Sequence, residues 1–424
     1  MRQFIPAYLL DRLAEADDHT AECVRRARTL DAQLRERRQA APRASLAGED
    51  DWSVHDAGNG TQLPGPLARR AGDPATGDAA VDEAAAGLTE TLALLADWGR
   101  DSYDDAGATA VATVHYDRDY VNAFWDGTQL VFGDGDGVVF DRFTKPIDVL
   151  GHELAHALVQ HTADLAYEGQ PGALNESVAD VVGACVKQRV AGQTAEQADW
   201  LVGAGIFLPG VQGRALRSML EPGTAYDDPR VGTDPQPGHM DDFVVTQDDN
   251  GGVHINSGIP NRAFALAARA VGGQTWQGAG RIWYDALLAS GPREDFGSFA
   301  AATVAAAGDQ ADAVTAAWEQ VGVTPGTSVA PGPAAVAGTT VGVRRSGGVA
   351  GMVRQGEVDL ESDDPRVPEV RSLVQRIDFR TAAAASPPQP DRFVYAFHYD
   401  GDVTLGETDL TDDLRRLARI VLDD

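Results

Sequence analysis

Two histidines four residues apart, His152 and His156, with Glu153 between them, constrain this 424-residue chain more than any other feature. In a helix, residues at i and i+4 share one face about a turn apart, so the two imidazoles can grip a single ion. Nineteen residues separate His156 from Glu176, which stands in a second helix-like run, 173–186, and offers a carboxylate as a third ligand. Two imidazoles and one carboxylate leave one position of a tetrahedral zinc ion open, which marks a catalytic site and not a structural one. Glu153 lies beside the ion but outside the ligand set, where it can act as base on a water. Only nine histidines occur in the chain, so finding two at this spacing with a following Glu176 is hard to assign to chance. Asp180, one turn beyond Glu176, can accept a hydrogen bond from a ligand histidine's second nitrogen and fix its tautomer. Its plainer alternative is a solvated helix-face carboxylate.

The motifs around these residues carry a family resemblance. GHELAHALVQHTADLAY (151–167) and GALNESVADVVG (172–183), with VNAFWDGTQLVFGDGDG (121–137) upstream and DNGGVHINSGIPNRAF (249–264) downstream, resemble the thermolysin-type zinc metallopeptidases. The resemblance runs in order from about Val54 to Val323. It implies an α+β, two-lobe architecture: a β-rich N-terminal lobe over 51–145, a helical lobe over 146–323, and the zinc site between them. It further implies that His254 and Tyr167 donate to the oxyanion and that Asp249 orients His254. Asn122 and the Ala123 backbone would hold an extended substrate on an edge strand, and Arg217 would bind the carbonyl on the leaving-group side. Phe140, Phe143, Val149, Val202 and Leu216 match the family pocket for the residue after the cleaved bond, which implies cleavage before Leu, Phe, Ile or Val. The expected enzyme is a zinc endopeptidase in which Glu153 takes a proton from water and hands it to the leaving amine. Alternatives are an aminopeptidase, for which no acidic anchor for a free amine stands out, and an idle binding or inhibitor-delivery protein using the lobes as scaffold.

One departure concerns calcium. Three positions where the family places ligands of a double calcium site hold Lys187, Leu201 and Ala204, leaving only Asp148 and Asp199. Calcium needs six or more oxygens, so that site is expected to be lost. The two aspartates then cap a helix, support a neighbour or sit as surface charge.

The start of the chain reads as a separate piece. A helical, charged pattern from Ala7 to about Ala41 carries Leu9, Leu10, Leu13, Val24, Ala27, Leu30 and Leu34 near one stripe. On pattern alone it is a helical hairpin packed on the main domain. Phe4-Ile5-Pro6-Ala7-Tyr8-Leu9-Leu10 resembles the short precursor motif of the protealysin branch, which implies that residues 1–50 are a propeptide covering the active site. The small, polar stretch 41–52 suits a processing nick. No basic region followed by a long apolar run opens the chain, so no Sec-type signal is expected; the protein is cytoplasmic or leaves by another route. No run reaches the ~18 apolar residues of a membrane span. A net charge of −29 with no basic patch excludes nucleic acid and anionic membrane as partners. Peptides and proteins remain as substrates of an expected monomer. The two cysteines, Cys23 and Cys185, read as buried thiols; a part for Cys23 in capping the zinc before activation is the remoter alternative.

Beyond Val323, a Pro/Gly-rich run over 324–338 reads as a linker. Residues 339–424 then pattern as strand, strand, helix, strand, strand, helix, a small α+β domain without a catalytic cluster. The Arg345-Ser346-Gly347-Gly348-Val349-Ala350-Gly351 hairpin and this order resemble emfourin, which implies an inhibitor of protealysin-type enzymes fused to its target. A substrate- or cell-wall-binding appendage is the alternative.

Overall fold

The computed structural model describes residues 2–15, 18–40, 50–327, 340–347, 354–360, 362, 364–374, 377, 393–399 and 401–422. Two compact units divide it, Met1–Gly332 and Pro333–Asp424. The 41–49 stretch, most of the 324–338 run and the tip of the 345–351 hairpin lie outside the described residues.

The first unit opens with strand β1 (Arg2–Gln3) and helices α1 (Ala7–Ala14) and α2 (His19–Ala40). Of the expected stripe, Leu9, Leu10, Leu13, Val24 and Ala27 are buried and join the main core, Leu30 packs partly buried against it, and the Leu34 side chain lies outside the described residues. The β-rich lobe follows with β2 (Trp52–Asp56), β3 (Leu67–Arg70), α3 (Ala79–Asp97), β4 (Ala110–Val114), β5 (Ala123–Trp125) and β6 (Leu130–Phe132). These strands and β1 make one six-stranded sheet in the order β1-β5-β6-β4-β2-β3. All five residues of β4 are buried, as the continuous apolar run of an interior strand requires. The edge is the informative part. β1 pairs antiparallel with β5, Gln3 opposite Phe124, so the sheet rim that β5 would present is occupied by the chain's own N-terminus.

Helix α4 (Ile147–Gln160) begins after Pro146, which takes the N-cap position in extended conformation and not the first turn. It packs along α5 (Gly169–Ala191), and two bare glycines set how close they come. A Cβ on Gly151 would sit 2.9 Å from Gly183 Cα, and one on Gly183 only 2.5 Å from the Asp148 carbonyl oxygen. This approach brings the histidines of α4 against the carboxylates of α5.

The stretch after α5 is less helical than its pattern implies. Four two-residue strands, β7 (Leu201–Val202), β8 (Arg217–Ser218), β9 (Asp227–Asp228) and β10 (Gly232–Thr233), form two small antiparallel pairs. Ladders this short leave no period to read in the sequence. Helices α6 (Asp248–Asn256), α7 (Gly258–Val271), α8 (Ala279–Ala289), α9 (Phe296–Ala306) and α10 (Ala311–Glu319) complete the unit.

In the second unit, β11 (Thr340–Gly347), β12 (Arg354–Asp359), β13 (Phe393–Tyr399) and β14 (Gly401–Gly406) form an antiparallel sheet in the order β12-β11-β13-β14. Helices α11 (Val367–Val374) and α12 (Asp412–Leu422) pack against each other, and α12 also covers β11 and β12. Leu414, Leu417, Ala418 and Val421 recur at helical spacing on α12 and meet Val341, Val343, Val358 and Phe397 in a separate core.

Candidate active site

Helix α5 is buried almost all round, so a polar residue on it must find a partner inside the protein. Asn175, Glu176 and Asp180 each do, and two of the partners are on α4. His152 Nδ1 donates to Asp180 Oδ1 at 2.8 Å, and His156 Nδ1 donates to Asn175 Oδ1 at 2.9 Å. Both rings are thereby fixed with their Nε2 lone pairs turned inward. Glu176 meets them there, with Oε2 3.4 Å from His152 Nε2 and Oε1 3.5 Å from His156 Nε2. One ligand atom from each of the three residues falls within 4.8 Å of the others.

The donor set fits zinc. His152 Nε2 and Glu176 Oε2 are buried without a hydrogen bond, a costly state for two polar atoms unless an ion lies between them. Burial works against ionising Glu176, but the charges of His254 and His156 hold its carboxyl well below the usual range. Burial pushes the Glu153 carboxyl up to about 8, against the opposing pull of His152. A fully buried base raised toward neutrality can accept and return a proton.

Asp180 is the junction of the site. Burial opposes its charge, yet Arg217 and His152 bring its pKa down to about 2. Arg217 approaches it with two donors, Nε to Oδ2 at 2.8 Å and Nη2 to Oδ1 at 2.7 Å, and Asn261 Nδ2 donates to Oδ2 at 2.8 Å. Across the cleft, Tyr167 donates its hydroxyl to Glu176, and His254 Nε2 lies 3.4 Å from that hydroxyl. Asp249 grips His254 twice, accepting its backbone N–H at 2.8 Å and Nδ1 at 2.6 Å. Burial would lower the His254 pKa, but Asp249 and Glu176 outweigh it and raise it to about 9. Asp249, Asn250, Gly251 and Gly252 all adopt left-handed backbone conformations, a turn of reversed hand that delivers Asp249 to the ring.

The N-terminal segment runs through this site. Phe4 N–H donates to the Ala123 carbonyl at 3.0 Å and Ile5 N–H to Asn122 Oδ1 at 2.9 Å. The expected strand over 121–125 thus starts at Ala123, and Asn122 serves through its side chain. Arg217 Nη1 donates to the Phe4 carbonyl at 3.3 Å, and His254 Nε2 to the Gln3 carbonyl at 2.8 Å. The Phe4 ring packs edge-on to His152 at 5.2 Å and lies beneath the Arg217 guanidinium at 4.8 Å. Beside it, a Cβ on Gly203 would lie 3.1 Å from Phe4 Cζ and 3.4 Å from Leu216 Cβ. Phe140, Phe143, Val149, Val202 and Leu216 are all buried in the same core. Phe140 and Phe143 stack obliquely at 5.9 Å, and the Val202 carbonyl accepts from Leu216 N–H.

At the calcium-related positions, Lys187 Nζ donates to Asp199 at 2.7 Å and to the Leu201 carbonyl at 2.9 Å, and it lies 3.9 Å from Asp148. An ammonium therefore stands among the remaining oxygens. Asp148 accepts from Gly203 N–H, and burial raises its pKa to about 6 despite Lys187. Cys23 and Cys185 are both buried free thiols. Asn175, Asn261 and the Arg217–Asp180 pair carry no motif of their own; the one signal is the place of Asn175 beside Glu176 in a run of mostly small and apolar residues.

Comparison with known proteins agrees with this geometry. The thermolysin metallopeptidase catalytic-domain family matches residues 26–160, its alpha-helical domain matches 163–323, and the Emfourin family matches 343–422. The chain is 48% identical to an extracellular metalloprotease of Pectobacterium carotovorum subsp. carotovorum, over 75% of this chain and 95% of that protein. It is 50% identical to protease PrtS of a Photorhabdus species, over 64% of this chain and 76% of the relative. Among solved structures, the precursor of protealysin, a metalloproteinase from Serratia proteamaculans, superposes with a TM-score of 0.69 at 46% identity, covering 76% of this chain and all of that one.

Proposed function

The chain belongs to the thermolysin metallopeptidase family and is a zinc metalloendopeptidase carrying an emfourin domain, and from that premise we propose that it is a zymogen restrained at both ends. The observation that carries the N-terminal part is the pairing of Gln3 and Phe4 with Ala123, Arg217 and His254. These are the donors and acceptors an extended peptide would use, so residues 1–50 act as a propeptide that fills the cleft as a strand.

Held by His152, His156 and Glu176, a zinc ion supplies Lewis acidity toward a carbonyl oxygen and a water. Glu153 takes the proton of the attacking water as its oxygen bonds to the carbonyl carbon. It then delivers that proton to the nitrogen as the carbon–nitrogen bond breaks. His254 donates to the oxygen as charge grows there, and Tyr167 turns from Glu176 to do the same, each such donor lowering the barrier by about 3–4 kcal/mol. Asp249 and Asp180 position His254 and His152, while Asn122, Ala123 and Arg217 hold the peptide backbone. The pocket of Phe140, Phe143, Val149, Val202 and Leu216 selects Leu, Phe, Ile or Val after the cut. Lys187 substitutes for calcium at the former double site.

The emfourin domain, tethered by a short linker, restrains the enzyme through high effective concentration. The protein acts as a monomer; among the described residues no helix is long and apolar enough to cross a membrane. Wild type and Glu153→Ala, incubated with zinc and followed by intact mass and casein hydrolysis, test the reading. Wild type alone should lose about its first 50 residues and cleave casein; if both stay whole, the deletion of residues 324–424 decides, and a deletion variant that also stays whole overturns the zymogen. Deleting residues 324–424 should raise activity or speed maturation, and unchanged kinetics would favour an appendage. Peptide-library cuts falling before charged residues would refute the pocket assignment.

A further inference from the structure

Helix α2 opens with a second pair at the spacing α4 uses for its histidines. His19 and Cys23 stand at i and i+4, with Cys23 Sγ 3.6 Å from His19 Nε2 and 3.9 Å from Nδ1. Asp119, from the loop ahead of β5, brings Oδ2 to 3.9 Å from His19 Nε2. One ligand atom from each lies within 4.8 Å of the others. Bonds of ~2.3 Å to sulfur and ~2.0 Å to nitrogen at a tetrahedral angle set a sulfur–nitrogen edge of about 3.5 Å, which the observed separation meets. The imidazole–carboxylate edge is about half an ångström long for such an ion. Both of those side chains are open to solvent, at 51% and 37% exposure, so each can turn to close it without moving the core.

We infer that His19, Cys23 and Asp119 form a second cation site of the zinc class, with water completing its coordination, that pins the N-terminal helix to the catalytic lobe. A thiolate beside an imidazole selects a borderline-soft ion over calcium or magnesium. One thiolate and one carboxylate balance the charge of a divalent cation. The neighbouring Arg26 is paired with Asp117 at 2.8 Å and also hydrogen-bonds Cys23, so its charge is shared between a carboxylate and the sulfur. Cys23 is buried, Asp119 half-buried and His19 exposed, so the ion would enter from solvent past His19 and seat on the sulfur. Two ligands come from residues 1–50 and one from beyond them. Where the first group is a propeptide, the ion holds it in place, a consequence that rests on the zymogen reading. At a hundredfold excess over its Kd, an ion bound only by the docked arrangement shifts the docking balance about a hundredfold.

Cobalt(II) titration of full-length Glu153→Ala tests the site, since that variant keeps the chain whole whatever the segment does. Two equivalents should bind, the second with a near-ultraviolet sulfur-to-metal charge-transfer band that His152, His156 and Glu176 cannot produce. Cys23→Ser and the exposed-site variant His19→Ala should lose the band and the second equivalent while retaining the first. Asp119→Asn should weaken the second by roughly tenfold or more. A single equivalent, a band that survives Cys23→Ser, or indifference to Asp119→Asn overturns the inference. A second equivalent in this variant, with no N-terminal cut in either wild type or the 324–424 deletion, would instead overturn the propeptide reading and leave the site standing.

Discussion

Two clusters in this protein place ligands four residues apart on a helix, and they differ in what stands behind them. His152 and His156 are fully buried, and each has its outer nitrogen locked by a residue of α5. His19 is half exposed, and its cluster is assembled across two segments distant in the chain. Helical spacing alone supplies a pair of ligands. The outer partners decide whether that pair is rigid enough for chemistry or only suited to fastening.

The largest effect expected is at Glu153. Glu153→Gln should lower kcat by about 10²- to 10⁴-fold with one zinc per chain retained at the central site. If zinc is lost along with activity, Glu153 belongs among the supports and the contrast between the clusters needs redrawing. Next comes the outer support itself. Asp180→Asn should weaken zinc binding about 10- to 100-fold in competition with a chromogenic chelator, and an unchanged affinity would show that rigidity comes from packing alone.

Phe4→Ala tests how far the two clusters are joined through the N-terminal segment. Removing the ring empties a buried pocket beside His152, and the segment should be lost several-fold faster by intact mass. Equal rates would place the hold on the segment elsewhere, in contacts such as Arg26–Asp117. Adding millimolar calcium should leave the melting temperature unchanged, because the Lys187 ammonium is a cation already in place; a rise would restore the lost site.

The smallest effect concerns His115, in the loop that carries Asp119. Hydrogen bonding to Asp134, with further help from Asp78, outweighs burial and raises its pKa to about 9. A histidine raised on folding contributes stability that is complete below its ordinary value near 6.5 and is lost as pH rises through about 9. Melting temperature should therefore fall more steeply between pH 7 and 9.5 in wild type than in His115→Asn. Parallel slopes would mean that the loop needs no such anchor.

Much of the central site was legible because it rests on local periodicity. The steps from His152 to His156 and from Glu176 to Asp180 follow from 3.6 residues per turn, and the small α+β pattern after 339 follows from alternation and amphipathy. What stayed hidden depends on distance along the chain. Pairing β1 with β5 joins residues about 120 apart, and only the resemblance of residues 4–10 pointed to the cleft. The reversed turn at Asp249–Gly252 has no period to detect, though its Asn-Gly-Gly composition marks a break. His19 and Cys23 carry the same spacing as the central pair, but Asp119 is visible only once the loop is folded against α2.

Asp180 touches His152 on one side and Arg217 on the other. A peptide carbonyl that draws on Arg217 takes a share of its positive charge away from Asp180. The carboxylate then accepts more strongly from the His152 ring and makes its inner nitrogen a better donor to an ion. Reciprocity follows without any movement of the backbone: a filled cleft holds its metal more tightly than an empty one, and chelators should strip the resting enzyme before the working one.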